Sequence, residues 1–260
     1  MRFEVLGPLS VTDRREGRSL LPSAPKKKAL LAALLSRVGQ VVSTAGLMSE
    51  LWAGEPPRKA RAALHVYMAQ LRNQLAEGSG TAGITTEGPG YMLRLGDAEF
   101  DHHEFTTLLA QGRTLQQAGD LEEAAVRVHR ALDLWRGPAL SGLTDGPMLG
   151  VFATCLDEEY IAGIEMRLEI DLQLGRHREI VTDLVRLVND HPLRETFYRQ
   201  LMVAFYRSER QADALKCYHL LRGRLQDELG VEPCRSLQQL HQAVLRADPV
   251  LDRYRLQAVS

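Results

Sequence analysis

The hydrophobic pattern opens in short, strand-like pieces. Phe3, Val5, Leu6, Leu9 and Val11 crowd a stretch broken by Gly7-Pro8. Asp13 to Gly17 reads as a polar turn and Ser19 to Leu21 as a returning strand, which predicts a small N-terminal sheet. Helical signals then take over. Ser23-Ala24-Pro25 offers a cap and an early proline, Lys26 to Val38 follows as an Ala- and Leu-rich helix, and Gly39 stops it. Ser43 or Thr44 caps a second helix, Ala45 to Trp52. Gly54-Glu55-Pro56-Pro57 breaks the chain, and Arg58 to Glu77 runs as a third helix without internal Gly or Pro. Ile84 to Thr86, the turn Glu87-Gly88-Pro89-Gly90 and Tyr91 to Leu95 form a hairpin pattern. A boundary is expected at Gly96 to Phe100, giving domains at residues 1–97 and 98–260.

Beyond that boundary the pattern is helical. Three stretches share the order helix, tight turn, helix: Leu115 to Trp135 around Gly119-Asp120, Leu168 to Val188 around Gly175-Arg176, and Leu201 to Leu221 around Glu209-Arg210. Ala124, Ile180 and Ala214 each lie five residues past the first turn position, where close packing is expected. Pro138 and Pro192 follow the second helix of the first two stretches. The arrangement resembles tetratricopeptide-type hairpins, with irregular spacing and an extra helix around Met148 to Glu165. Any antiparallel helical bundle is the alternative. The expected fold class is mainly α with a small β component: a winged helix-turn-helix domain, then an all-α, tetratricopeptide-like domain.

Charge adds a direction. The formal net charge is −1, but residues 1–97 carry 13 Lys and Arg against 8 Asp and Glu, and the remainder 19 against 25. A basic first part on an acidic second part suggests nucleic-acid contact at one end. Ordinary charge scatter is the competing explanation. Cys155, Cys217 and Cys234 form no C-x-x-C pair, which points to neither a disulfide framework nor a cysteine zinc site. No secretory signal pattern or membrane-spanning apolar run is evident, so a soluble, cytoplasmic protein without membrane contact is expected, and DNA binding would make it nucleoid-associated.

The third helix is the most informative segment. Leu64, Tyr67, Met68, Leu71 and Leu75 recur at helical spacing and predict a core stripe. At about 100° per residue, Lys59, Ala62, Val66, Ala69, Gln70 and Asn73 take the opposite face, with Arg58, Arg61, His65 and Arg72 along one flank. Long cations at the margin reach phosphates, while short side chains let a helix sink toward base edges. Val66 and the alanines suit thymine methyls, and Gln70 suits adenine N6 and N7 in the major groove. A solvated face is the alternative. It usually carries more Glu, and no acid lies between Glu55 and Glu77. Lys26-Lys27-Lys28 opens the first helix, where a phosphate would offset the dipole's repulsion of cations. In the hairpin, Thr85 and Thr86 offer hydroxyls and Arg94 a charge toward DNA.

These residues resemble a known family, the Streptomyces antibiotic regulatory proteins. "FEVLGPLSV", "KKKALLAALLSRVGQVVS", "LMSELWAGEPPRKARAALHVYMAQLRNQL" and "ITTEGPGYML" are similar to its OmpR-like winged half. "ALDLWRGPAL", the run from "LGRHREIV" to "LQDELGVEP", and "LHQAVL" are similar to its bacterial transcriptional activation domain. The resemblance implies a DNA-binding activator of antibiotic biosynthetic genes. It implies binding to direct repeats near the −35 element and recruitment of RNA polymerase holoenzyme with its sigma factor. A homodimer on double-stranded promoter DNA is the expected assembly. Gln70 stands where the family has Arg in "YVSRLRR"-like segments, Arg72 matches its neighbour, and His65 and Val66 match groove-facing positions. Gly54, Glu55, Pro56 and Pro57 resemble the segment that faces the transcription machinery. Glu209 replaces the glycine of "RSGRQ", so that turn is expected to be strained or differently capped. Larger members append an ATPase domain; without G-x-x-x-x-G-K-[ST] the chain resembles the small stand-alone type.

Enzymatic readings find little support. His102-His103-Glu104 lacks H-E-x-x-H spacing and a third ligand, so Asp101 is read as a helix cap and the histidines as surface. The carboxylates of Glu122-Glu123, Asp157-Glu158-Glu159 and Asp227-Glu228 fall on helices as solvated faces. No catalytic residue, metal or cofactor is expected. A scaffold whose helical repeats bind a protein or small ligand is the rival to the DNA-binding regulator.

Overall fold

The computed structural model describes residues 1–52, 55–248 and 251. Two compact units emerge, and neither is one continuous stretch. The first comprises Met1–Ala110 with Arg130–Ala162; the second comprises Gln111–His129 and the chain from Gly163 onward.

In the first unit, β1 (Arg2–Glu4) lies between β2 (Ser10–Thr12), antiparallel to it, and β6 (Glu99–Phe100), parallel to it. The expected return at Ser19 to Leu21 reduces to a single bridge, Thr12 to Ser19. The strand β6 falls inside the segment read as a boundary. Asp101, read as a cap, starts α4 (Asp101–Ala118) and instead turns its buried carboxylate to the backbone N–H groups of Val5 (2.9 Å) and Leu6 (3.0 Å). Burial pushes this carboxyl up, against those two N–H groups and the Arg136 guanidinium, which pull it down. Two adjacent backbone donors with no strand partner outweigh the helix's own first turn.

Three helices follow: α1 (Pro25–Leu35), α2 (Thr44–Trp52) and α3 (Ala60–Ala76). Ala24, not Ser23, occupies the N-cap of α1 and no side chain caps it. Ser43 accepts a bond from the Gly46 N–H (3.1 Å) at the start of α2. A second sheet orders β3 (Val42–Ser43), β5 (Gly90–Arg94) and β4 (Gly83–Glu87), all antiparallel. Gly90 is required there, because a Cβ would run into the Val42 carbonyl oxygen. Phe3, Leu6, Leu30, Leu34, Leu47, Leu64, Met68 and Phe105 share one buried core.

The unit also holds the start of α6 (Pro147–Gln173). The extra helix expected near Met148 and the first helix of the second hairpin are this one helix. Gly150 and Gly163 do not break it, since packing overrides a cost of about 1 kcal/mol each. Its N-terminus is capped from α2: the buried Glu50 carboxylate accepts the N–H of Met148 (2.6 Å) and of Leu149 (3.3 Å).

The remaining helices are α5 (Leu121–Leu132), α7 (Val181–Asp190), α8 (Glu195–Arg207), α9 (Gln211–Leu229) and α10 (Arg235–Leu245). Within the second unit, three turns repeat one geometry. Gly119, Gly175 and Glu209 sit in the left-handed region, with φ 85°, 80° and 63°. The next N–H reaches back five residues: Asp120 to Leu115 O (3.0 Å), Arg176 to Asp171 O (2.9 Å) and Arg210 to Phe205 O (2.9 Å). This is the Schellman ending of a helix. Ala124, Ile180 and Ala214 are all buried, as their common offset predicts. The turn expected at Glu209 is thus present with a non-glycine residue at its strained position.

Candidate nucleic-acid interface

The third helix separates into two faces. Leu64, Met68, Leu71 and Leu75 are buried in the first unit's core, and Tyr67 is half-buried against it. On the other side Ala62, Val66, Ala69, Gln70 and Asn73 are exposed, and Val66 keeps 53% of its surface in solvent. An exposed valine flanked by alanines, on a helix with no acid from Ala60 to Ala76, is an unusual solvent face. Arg58, Lys59 and Arg61 are exposed at its N-terminal end; Arg58 and Lys59 precede the helix, with Lys59 at the N-cap. The arrangement offers donors for phosphates at one end and a shallow, small-residue surface along the middle.

The flank differs from the sequence reading. Arg72 is half-buried; its Nε donates to the Ile84 carbonyl (2.8 Å) and its Nη2 to Thr86 Oγ1 (2.7 Å). His65 is exposed, yet its Nδ1 meets the Tyr91 hydroxyl at 2.9 Å. Of the two hairpin threonines, Thr86 is exposed, whereas the Thr85 hydroxyl is buried without a partner. Successive residues of a strand face opposite ways, so Thr85 and Thr86 do not present their hydroxyls together. Arg94 is exposed beside Glu87, 3.4 Å away. Lys26 is exposed with its Nζ 4.7 Å from the Trp52 ring centre, and Lys27 is half-buried. Glu55, Pro56 and Pro57 are exposed; Gly54 lies outside the described residues.

Two family profiles cover most of the chain. "Transcriptional regulatory protein, C terminal" matches residues 18–93, and "Bacterial transcriptional activator domain" matches residues 100–245. The regulatory protein DnrI of Streptomyces peucetius is 36% identical over 263 residues, covering 97% of this chain and 95% of DnrI. The chain belongs to the Streptomyces antibiotic regulatory protein family. AfsR of Streptomyces coelicolor, also a regulatory protein, is 41% identical over 96% of this chain, which spans 25% of AfsR. Among solved structures, Mycobacterium tuberculosis EmbR, in complex with a low affinity phosphopeptide, gives a TM-score of 0.89 at 33% identity. That match covers 95% of this chain and 65% of the EmbR chain.

The chain is therefore a transcriptional regulator, with an OmpR-like winged domain and a helical activator domain. Among the described residues no helix is long and apolar enough to cross a membrane. Sequence reasoning missed the ties that Arg72, His65 and Tyr91 make between α3 and the hairpin. Their signal was available only as a polar flank at a two-turn spacing, which reads equally well as an outward face.

Proposed function

We propose that this regulator binds promoter DNA through the exposed side of α3 and activates transcription by contacting RNA polymerase holoenzyme. The reading is carried by one observation: the acid-free outer side of α3, with Ala62, Val66, Ala69, Gln70 and Asn73 in solvent. Inserted in a major groove, that side brings Gln70 to a base edge and Val66 to a thymine methyl. Arg58, Lys59 and Arg61 take phosphates on one side, and Lys26 and Lys27 extend the backbone contacts. Two protomers occupy direct repeats near the −35 element, packed head to tail because direct repeats lack a two-fold axis. The loop at Glu55, Pro56 and Pro57 reaches the polymerase and its sigma factor. The regulated genes are those of antibiotic biosynthesis, and the protein works at the nucleoid.

Base selection from a pool of random duplexes tests the central step. Wild type selects adenine at the base pair facing Gln70, and Gln70→Arg shifts that one position to guanine. A bidentate contact discriminates by about 5- to 150-fold. If Gln70→Arg returns the wild-type preference at every position, α3 does not read bases. Replacing Glu55, Pro56 and Pro57 with Gly-Ser-Gly separates the second step: transcription with holoenzyme falls while duplex binding stays.

A further inference from the structure

Arg72 lies on the helix assigned to DNA, yet its guanidinium points into the protein's own hairpin. Nε donates to Ile84 O at 2.8 Å and Nη2 to Thr86 Oγ1 at 2.7 Å, and the guanidinium carbon lies 5.6 Å from the Tyr91 ring centre. Ile84 and Thr86 are alternate residues of β4, and one planar fork grips the backbone of the first and the side chain of the second. Tyr91 pairs with Thr86 across the ladder, and its hydroxyl meets His65 Nδ1 at 2.9 Å. His65 and Arg72 stand two turns apart on α3. Both strands of the hairpin are thus tied to one edge of the helix at two heights.

We infer that Arg72 is a positioning residue, which fixes the β4–β5 hairpin against α3, with the Tyr91–His65 bond as the second tie. It is not a phosphate or base contact. The inference rests on the reading of α3 as the DNA-facing helix. Turning the guanidinium outward breaks two charge-assisted bonds, one of them to the carbonyl of the buried Ile84. Only β5 gains a further partner, the two-residue β3, so β4 at the sheet edge depends most on what it docks on. A lysine keeps the charge but not the two-pronged fork.

The test uses the full chain and a 60-base-pair duplex recovered by wild type from a random pool. Affinity is measured across salt concentrations, and amide exchange of residues 83–94 is followed without DNA. Arg72→Lys is expected to bind about as weakly as Arg72→Ala, each on the order of 10-fold below wild type. Both should keep the wild-type salt slope and exchange the hairpin amides faster. Thr86→Val should weaken binding a few-fold alone and add nothing to Arg72→Ala. Wild-type affinity in Arg72→Lys, or a slope smaller by about 1 in Arg72→Ala, marks a phosphate contact and overturns the inference. If Arg72→Ala does not fold, Thr86→Val still decides: unchanged exchange and affinity overturn it. Gln70→Arg separates the two readings. Loss of the Gln70 effect sinks α3 as the reader, whereas hairpin exchange reports on the clamp alone.

Discussion

Glu209 holds a backbone conformation that Gly119 and Gly175 hold at the matching places of two other helix ends. A left-handed non-glycine residue costs about 1–2 kcal/mol, and glycine's extra freedom in the unfolded chain returns about 0.5–1 kcal/mol of that. Glu209→Gly should therefore raise stability by about 0.5–1 kcal/mol in denaturant melts, with unchanged DNA affinity. A destabilised variant would mean that the Glu209 side chain holds the turn in a way its φ does not reveal. This residue was legible in the sequence because a turn signal, two helical patterns and one missing glycine coincide. Thr85 was less so. β-branched neighbours announce a strand, but which of two threonines turns outward depends on the register with Tyr91 and Met92.

Among elements, α6 shows where local pattern runs out. The hydrophobic pattern reads as an extra helix around Met148 to Glu165 and a separate hairpin from Leu168, and the cap of the single helix comes from Glu50, 98 residues earlier in the chain. Glu50→Ala should lower stability by about 1–2 kcal/mol, the loss of a cap with its N–H groups left buried. Glu50→Gln keeps an acceptor oxygen and should recover part of it. Equal stability of Glu50→Ala and wild type in urea melts would remove the cap from the account. Gly146→Ala tests the same joint from the other side, since its methyl would meet the Glu50 carboxylate. The three helices and the hairpin of the winged domain were legible because each carries its own period and its own turn residues. The two-residue β6 was not: its pairing with Arg2 and Phe3 spans nearly 100 residues and leaves no local mark.

On the scale of the whole molecule, a formal net charge of −1 conceals a basic N-terminal part. With Lys26, Lys27, Arg58, Lys59 and Arg61 on phosphates, the logarithm of affinity should fall against that of salt with a slope of about −4 to −5 per protomer. Replacing Lys26 and Lys27 with alanine should make that slope shallower by about 2. A slope near zero in wild type, measured by fluorescence anisotropy, would leave these cations without phosphates. Charge asymmetry marked the end of the chain proposed here to meet DNA, and the exposed face of α3 followed from helical period alone. What the asymmetry did not convey is how the first strand is completed. β1 is flanked by β6, and the N–H groups of Val5 and Leu6 end on Asp101. A DNA-binding fragment cut after the hairpin would bare an unpaired strand edge next to Phe3 and strand two donors in its own core. Such a piece would tend to recruit a neighbour's backbone, so aggregation on truncation would report a severed sheet rather than a faulty reader of DNA.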